Sequence, residues 1–200
     1  MTAQILVVVV GYLLGSIPFA YLAGRLRGVD IRTVGSKNVG ATNVFRTLGK
    51  RIGVTVMVLD IAKGLVAVLI ARGLTDSPWP IAAAAAAIVG HVFPVWLRFR
   101  GGKGVAVAGG AMIGLAPIPA LVVVVIWFAV VALTRYVSLA SVIAAALFPF
   151  LVLLFGEPWP VVAFTALAAV AVIVRHRANI GRLLAGEELR LQFRRGPAPP

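Results

Sequence analysis

Hydrophobic residues run through this chain in long, nearly unbroken blocks rather than alternating with polar ones. The apolar stretches are about Ala3–Ala23, Ile52–Ala71, Pro80–Leu97, Val105–Leu133, Val137–Phe155 and Pro158–Val174, with short polar segments between them. Blocks of this length predict membrane-crossing helices, since about 20 apolar residues cover a hydrocarbon core ~30 Å thick. A membrane barrel would instead show apolar residues at every second position.

The block Val105–Leu133 is too long for one crossing. Its 29 residues would make a helix of roughly 43 Å, and Pro117 and Pro119 interrupt it. Leaving it whole gives six spans and puts the first loop and the C-terminal tail on opposite faces, although both are strongly basic. Splitting it at Ala116–Pro119 gives seven. The seven basic residues of the first loop, the three of Arg98–Lys103, Arg135 and the six of the tail then share one side, 17 of the 19 in the chain. Cytoplasmic loops retain Lys and Arg, so the pattern predicts an all-α integral membrane protein. The expected architecture is a seven-span helical bundle with its N-terminus outside and its C-terminus cytoplasmic. The span from Val105 to Ala116 is then short and tilted, or is extended by the glycines that precede it.

Composition agrees with the pattern. At 200 residues, 61% hydrophobic and mean hydropathy +1.04, the chain is too apolar for a soluble domain of its size. The N-terminal block lacks a basic flank and a cleavage site, and reads as a first span. The net charge of +13 sits in loops, where membrane orientation and anionic headgroups account for it without nucleic acid. There is no cysteine, hence no disulfide framework or thiolate metal site. Residues 1–195 read as a single polytopic membrane domain, and Gly196–Pro200 as a disordered end.

Three basic, glycine-rich islands fall on the predicted cytoplasmic side. In Arg98-Phe-Arg-Gly-Gly-Lys-Gly-Val105, glycines let backbone N–H groups converge on an anion, Lys103 adds a charge, and the following helix adds its N-terminal dipole. It is no nucleotide-hydrolysing phosphate loop, because Val105 replaces the metal-binding hydroxyl. The first island, Gly35–Arg46, carries Ser36, Asn38, Thr42, Asn43 and Arg46. Helix capping accounts for one or two such residues, and the rest suit a polyol or phosphoester. The third island, Arg175–Arg182, reads as the cytoplasmic extension of the last helix, with His176 and Asn179 on one face and its arginines as a basic flank.

Several polar residues remain. Ser138 and Ser141, at i and i+3, share a helix face. Asp60 and Lys63, also i and i+3, stand inside the second span, where each isolated charge costs roughly 2.5–3.5 kcal/mol on insertion scales. A helix-internal ion pair is the expectation. His91 is expected to pack or hydrogen-bond rather than to catalyse. Neither histidine begins a His-x4-Asp box, and no spacing suits zinc, so no metal and no other cofactor are expected.

Together these residues resemble the PlsY-type acyl-phosphate:glycerol-3-phosphate acyltransferase family of bacterial membranes. The likeness rests on Gly15-Ser-Ile-Pro-Phe19, the Gly35–Arg46 island, Asp60-x-x-Lys-Gly64, Gly90-His-x-Phe-Pro94, Phe99–Val105, Tyr136–Ser141 and His176–Glu187. The resemblance implies a seven-span enzyme of the bacterial cell (inner) membrane with its site facing the cytoplasm. It would move a fatty acyl group from a long-chain acyl phosphate to glycerol-3-phosphate, giving lysophosphatidate and inorganic phosphate for phospholipid biosynthesis. The expected catalytic residues are Ser36, Lys103, His176 and Asn179. Arg46, Asn38, Asn43, Gly101, Gly102, Gly104 and Ser141 are expected to bind substrate, and membrane lipids to surround the protein. Two positions depart from the family pattern: Lys37 stands where Gly is usual and Val107 where Thr is usual. The rival reading is a small transporter for phosphorylated or anionic metabolites, although no repeat or mid-membrane site supports it.

Overall fold

Proline marks where the longest apolar blocks break. In the structure, a computed structural model that describes residues 2–192, Pro18 separates helix α1 (Thr2–Ser16) from α2 (Phe19–Arg25). The break expected near Ala116 falls between α6 (Val105–Leu115) and α7 (Pro117–Thr134), with Pro117 at the first turn of α7, where its missing N–H costs nothing. The remaining helices are α3 (Ala41–Leu48), α4 (Lys50–Leu74), α5 (Trp79–Val92), α8 (Val137–Leu154), α9 (Trp159–Arg175) and α10 (Arg177–Leu184). No strand occurs among the described residues.

Five stretches are long and apolar enough to cross a membrane, and six if α9 and α10 count as one bent span. α6, with 11 residues, is about 16 Å long and falls short of that length. Large apolar side chains point outward, as at Leu121 and Val125 of α7, while Asp60 and Lys63 are buried. A bilayer solvates such a surface; water does not.

The first apolar block remains one candidate crossing, Thr2–Arg25, but it is not one continuous helix, because Pro18 offers no N–H to the ladder. Nor is the third island a straight extension of the last helix: the chain bends by 58° between α9 and α10. At the bend Nδ1 of His176 lies 2.7 Å from the carbonyl of Val172, which also accepts the His176 N–H. A side chain that captures a backbone carbonyl one turn back favours bending. The expected disordered end, residues 196–200, lies outside the described residues.

Helices touch where side chains are smallest. On α1, Gly15 faces the carbonyl of Ala87 on α5, and Gly90 of α5 faces that of Tyr12. On α6, Gly110 faces the carbonyl of Ile61 on α4, while Gly64 of α4 faces that of Val107. A Cβ at any of these four would collide with backbone. In lipid, close backbone approach supplies the packing that water exclusion supplies elsewhere. These contacts bring α1, α4, α5 and α6 together beneath the loop that carries Lys103. Val107 is fully buried there beside Ala67 and Ala87, so the departure at this position falls in helix packing.

Candidate active site

The three islands meet at one end of the bundle. Lys103, just before α6, donates from its ammonium to Oδ1 of Asn179 on α10. Asn179 Nδ2 donates to Oε1 of Glu188 at 2.6 Å. The Ser138 hydroxyl donates to the same oxygen at 2.8 Å, and Arg182 Nε donates to Oε2 at 2.7 Å. The carboxylate accepts only, so it fixes the Asn179 amide with its oxygen toward Lys103. Burial favours protonation of Glu188, yet the hydrogen bonds from Asn179, Ser138 and Arg182 outweigh it and hold the carboxyl below its ordinary range.

Arginines complete the ring. Arg175 Nη2 donates to the carbonyl of Gly102 at 3.1 Å, tying α9 to the glycine loop. Arg46 Nη2, on α3, donates to the carbonyl of Leu189 at 2.7 Å. Lys103 is pushed down to about 8, first by burial and further by Arg182, Arg175 and Arg46, with Glu188 acting against the shift. Four cations around one carboxylate leave an excess of positive charge, the requirement for holding a phosphate dianion.

The glycine loop works differently from the expected ring of free amides. Gly101 N–H already donates to the carbonyl of Val92, and Gly102 N–H to that of His91, both at 3.1 Å. These glycines are needed for contact: a Cβ on Gly101 would strike the His91 carbonyl, and one on Gly102 the His91 ring. Gly104 takes a left-handed conformation (φ 83°) to open α6, as glycine does readily. The amides of Lys103 and Gly104 make no hydrogen bond among the described residues. With the dipole of α6 and the unpaired amides of its first turn, they are donors left for an anion.

Of the first island, Asn43 is an organiser of the loop. It is 1% exposed; its Oδ1 accepts the Ser36 N–H at 2.9 Å, and its Nδ2 donates to the carbonyls of Ile31, Val34 and Asn38. Ser36 is exposed, and its hydroxyl makes no hydrogen bond among the described residues. Asn38 lines an open cleft of about 500 Å³ with Arg32, Lys37, Arg100, Gly101 and Arg175. Lys37 adopts φ 58°, which explains why glycine suits this position. On α8 the two serines diverge. Ser138 joins Glu188, whereas Ser141 donates to the Val137 carbonyl and accepts from Trp127 Nε1 of α7. His176 is 3% exposed; with its Nδ1–H given to Val172, the Nε2 lone pair is the free acceptor.

Comparison with known proteins settles the relationship. The profile of the family described as "Glycerol-3-phosphate acyltransferase" matches residues 5–186. The chain belongs to this family. It is 46% identical over 194 residues to the glycerol-3-phosphate acyltransferase of Rubrobacter xylanophilus, covering 96% of this chain and 98% of that relative. It is 52% identical over 188 residues to glycerol-3-phosphate acyltransferase 2 of Moorella thermoacetica, covering 94% and 97%. Among solved structures, the crystal structure of PlsY (YgiH), an integral membrane glycerol 3-phosphate acyltransferase, in its glycerol 3-phosphate form matches with a TM-score of 0.91. Identity is 42%, over 94% of this chain and 96% of that one. The lysophosphatidic acid form of that protein matches at 0.88 and 41%, over 94% and 95%. This chain thus has the all-helical integral membrane fold of that acyltransferase.

The residue that sequence reasoning missed is Glu188. Its signal was present: it is one of only six acidic residues in the chain, placed within a basic tail. Arg175 and Arg182, read as a flank, prove to be tied to Gly102 and Glu188.

Proposed function

We propose that this protein transfers a fatty acyl group from acyl phosphate to glycerol-3-phosphate, releasing lysophosphatidate and inorganic phosphate for phospholipid synthesis. The carrying observation is the excess of positive charge around Glu188, with Lys103 at the start of α6 and Arg46, Arg175 and Arg182 about it. Family membership supports the acceptor, since the relatives are named for glycerol-3-phosphate. The donor is inferred from the resemblance and from chemistry: a mixed anhydride is already activated, so no covalent enzyme intermediate is needed.

Lys103, with the amides that open α6, holds the phosphate that will leave. Arg46, Asn179, His176 and Ser36 orient glycerol-3-phosphate, and the cleft containing Asn38 lies beside them. Asn43 acts by holding the Ser36 loop, Gly101, Gly102 and Gly104 by shaping the turn, and Ser141 by packing near Ser138. The acceptor hydroxyl attacks the acyl carbonyl carbon, a C–O ester bond forms, and the C–O bond to phosphate breaks. The electron pair leaves on phosphate, where the ammonium and amides stabilise it. Two groups can accept the hydroxyl proton, Nε2 of His176 and an oxygen of the departing phosphate.

The distribution of basic residues supports seven crossings, with α6 as the short one and α9–α10 as a bent one. It also supports an N-terminus outside, a cytoplasmic C-terminus and a single membrane domain over residues 1–195. The site then faces the cytoplasm across the bacterial cell membrane. Purified protein given labelled glycerol-3-phosphate with palmitoyl phosphate should form labelled lysophosphatidate and matching phosphate, and none with acyl-CoA. Product from acyl-CoA alone would overturn the donor; no product from folded protein would overturn the reaction.

A further inference from the structure

Asp60, Lys63 and His91 form a second polar cluster, for which the proposed reaction has no role. Asp60 and Lys63 are 2% and 4% exposed, and Lys63 Nζ lies 2.8 Å from Asp60 Oδ1. Lys63 also donates to the Ile17 carbonyl at the break between α1 and α2, at 2.8 Å. The opposite charges of the pair offset one another in the span. Asp60 Oδ1 is nevertheless buried without a hydrogen bond among the described residues, and His91 Nδ1 stands 3.6 Å from that same oxygen.

The other edge of His91 explains its presence. Its Nε2 lies against Cα of Gly102, so closely that a Cβ there would collide with the ring. Its carbonyl accepts the Gly102 N–H at 3.1 Å. One residue therefore holds Gly102 by main chain and by side chain, and the next residue is Lys103. The space left among Ser16, Asp60, His91 and Gly102 is about 10 Å³, room for no more than one water, so the loop cannot sink toward the bundle.

We propose that His91, oriented by Asp60, is a positioning residue that seats Gly102 and so fixes where Lys103 meets the transferred phosphate. The proposal rests on the phosphate-binding role given to Lys103. A displacement of about 1 Å at a reacting centre can cost on the order of 100-fold in rate, so loss of the seat should be visible in kinetics before it is visible in folding.

The test compares the purified full chain with His91→Phe, which keeps a ring of similar size without its nitrogens, with Asp60→Asn, and with the double variant. Inorganic phosphate serves as probe, through its inhibition of transfer from palmitoyl phosphate. His91→Phe should weaken that inhibition and lower kcat/KM for palmitoyl phosphate by about tenfold or more. The KM for glycerol-3-phosphate should stay within about twofold, with unfolding temperature close to that of the parent. Because both substitutions break one chain of contacts, the double variant should be no worse than the worse single. Unchanged phosphate inhibition in folded His91→Phe would overturn the proposal, as would single effects that multiply. So would losses shared by both substrates that track a lowered unfolding temperature. If His91→Phe does not fold, His91→Gln carries the same readouts. Lys103→Ala, run in parallel, separates the two ideas: normal transfer by it removes the role of Lys103, whereas a dead Lys103→Ala beside a normal His91→Phe removes only that of His91.

Discussion

Arg46 and Leu189 lie 143 residues apart in the chain and 2.7 Å apart in the fold, the guanidinium donating to the carbonyl. Beside that contact Leu191 is buried, with its N–H given to the Arg135 carbonyl at 2.8 Å, and the Arg190 guanidinium lies 5.1 Å over the Tyr136 ring. The segment after α10 is thus strapped across the site. Arg46→Lys keeps the charge but loses the planar fork. It should lower kcat/KM about tenfold or more and speed hydrogen exchange at residues 186–191, measured by mass spectrometry.

Lys103→Ala should abolish transfer, a fall of at least about 100-fold, in protein that still inserts and folds. Lys103 in the free protein sits at about 8, and in the proposed reaction it is the protonated form that holds phosphate. kcat/KM for acyl phosphate should therefore fall as pH rises through about 8, followed as lysophosphatidate formed so that donor hydrolysis does not count. A profile flat to pH 10 would contradict this.

Glu188→Ala removes the acceptor of three side-chain hydrogen bonds. At about 1.5–3 kcal/mol for a bond to a charged group, activity should drop at least tenfold and the unfolding temperature should fall. The folded carboxyl titrates below its ordinary 4.5. Its contribution is fully present only above that pH and is lost as pH falls through the lowered folded value. The difference in stability between parent and Glu188→Ala should shrink on acidification below 4.5, as read by thermal unfolding in detergent.

Gly109 and Gly110 are neighbours with opposite surroundings. A Cβ at Gly109 meets open space, and one at Gly110 meets the Ile61 carbonyl. Gly110→Ala should destabilise the protein by about 1–3 kcal/mol, whereas Gly109→Ala should leave the unfolding temperature unchanged or raised.

A reporter fused after Pro200 should be active only in a cytoplasmic format. A signal from the far side would refute the seven-span count.

The sequence made the helical architecture legible because lipid demands long apolar blocks, and it located the break at Ala116 through length and proline. It did not reveal the break at Pro18, because one proline inside an apolar block can kink a helix or end it. Lys103, Arg46, His176 and Asn179 stood out because polar residues at these places have no packing use. Glu188 did not, since its value arises from Ser138, Asn179 and Arg182 arriving from two other elements. Asn43 looked like a ligand for the same reason that it is a good organiser: its amide has a donor and an acceptor, and nothing local says whether loop or substrate will use them.

Before the glycine loop, Arg98 and Phe99 both hold left-handed backbone conformations, φ 52° and 63°, each costing on the order of 1 kcal/mol or more for a residue with a side chain. Phe99 N–H is given to the Pro94 carbonyl and Arg100 N–H to that of Leu97, so surrounding structure keeps them there. A loop fixed in this way loses its conformational entropy once, when the chain folds. In the proposed reaction each cycle would then begin with the ammonium of Lys103 already aimed, leaving substrate binding energy available for the acyl transfer itself.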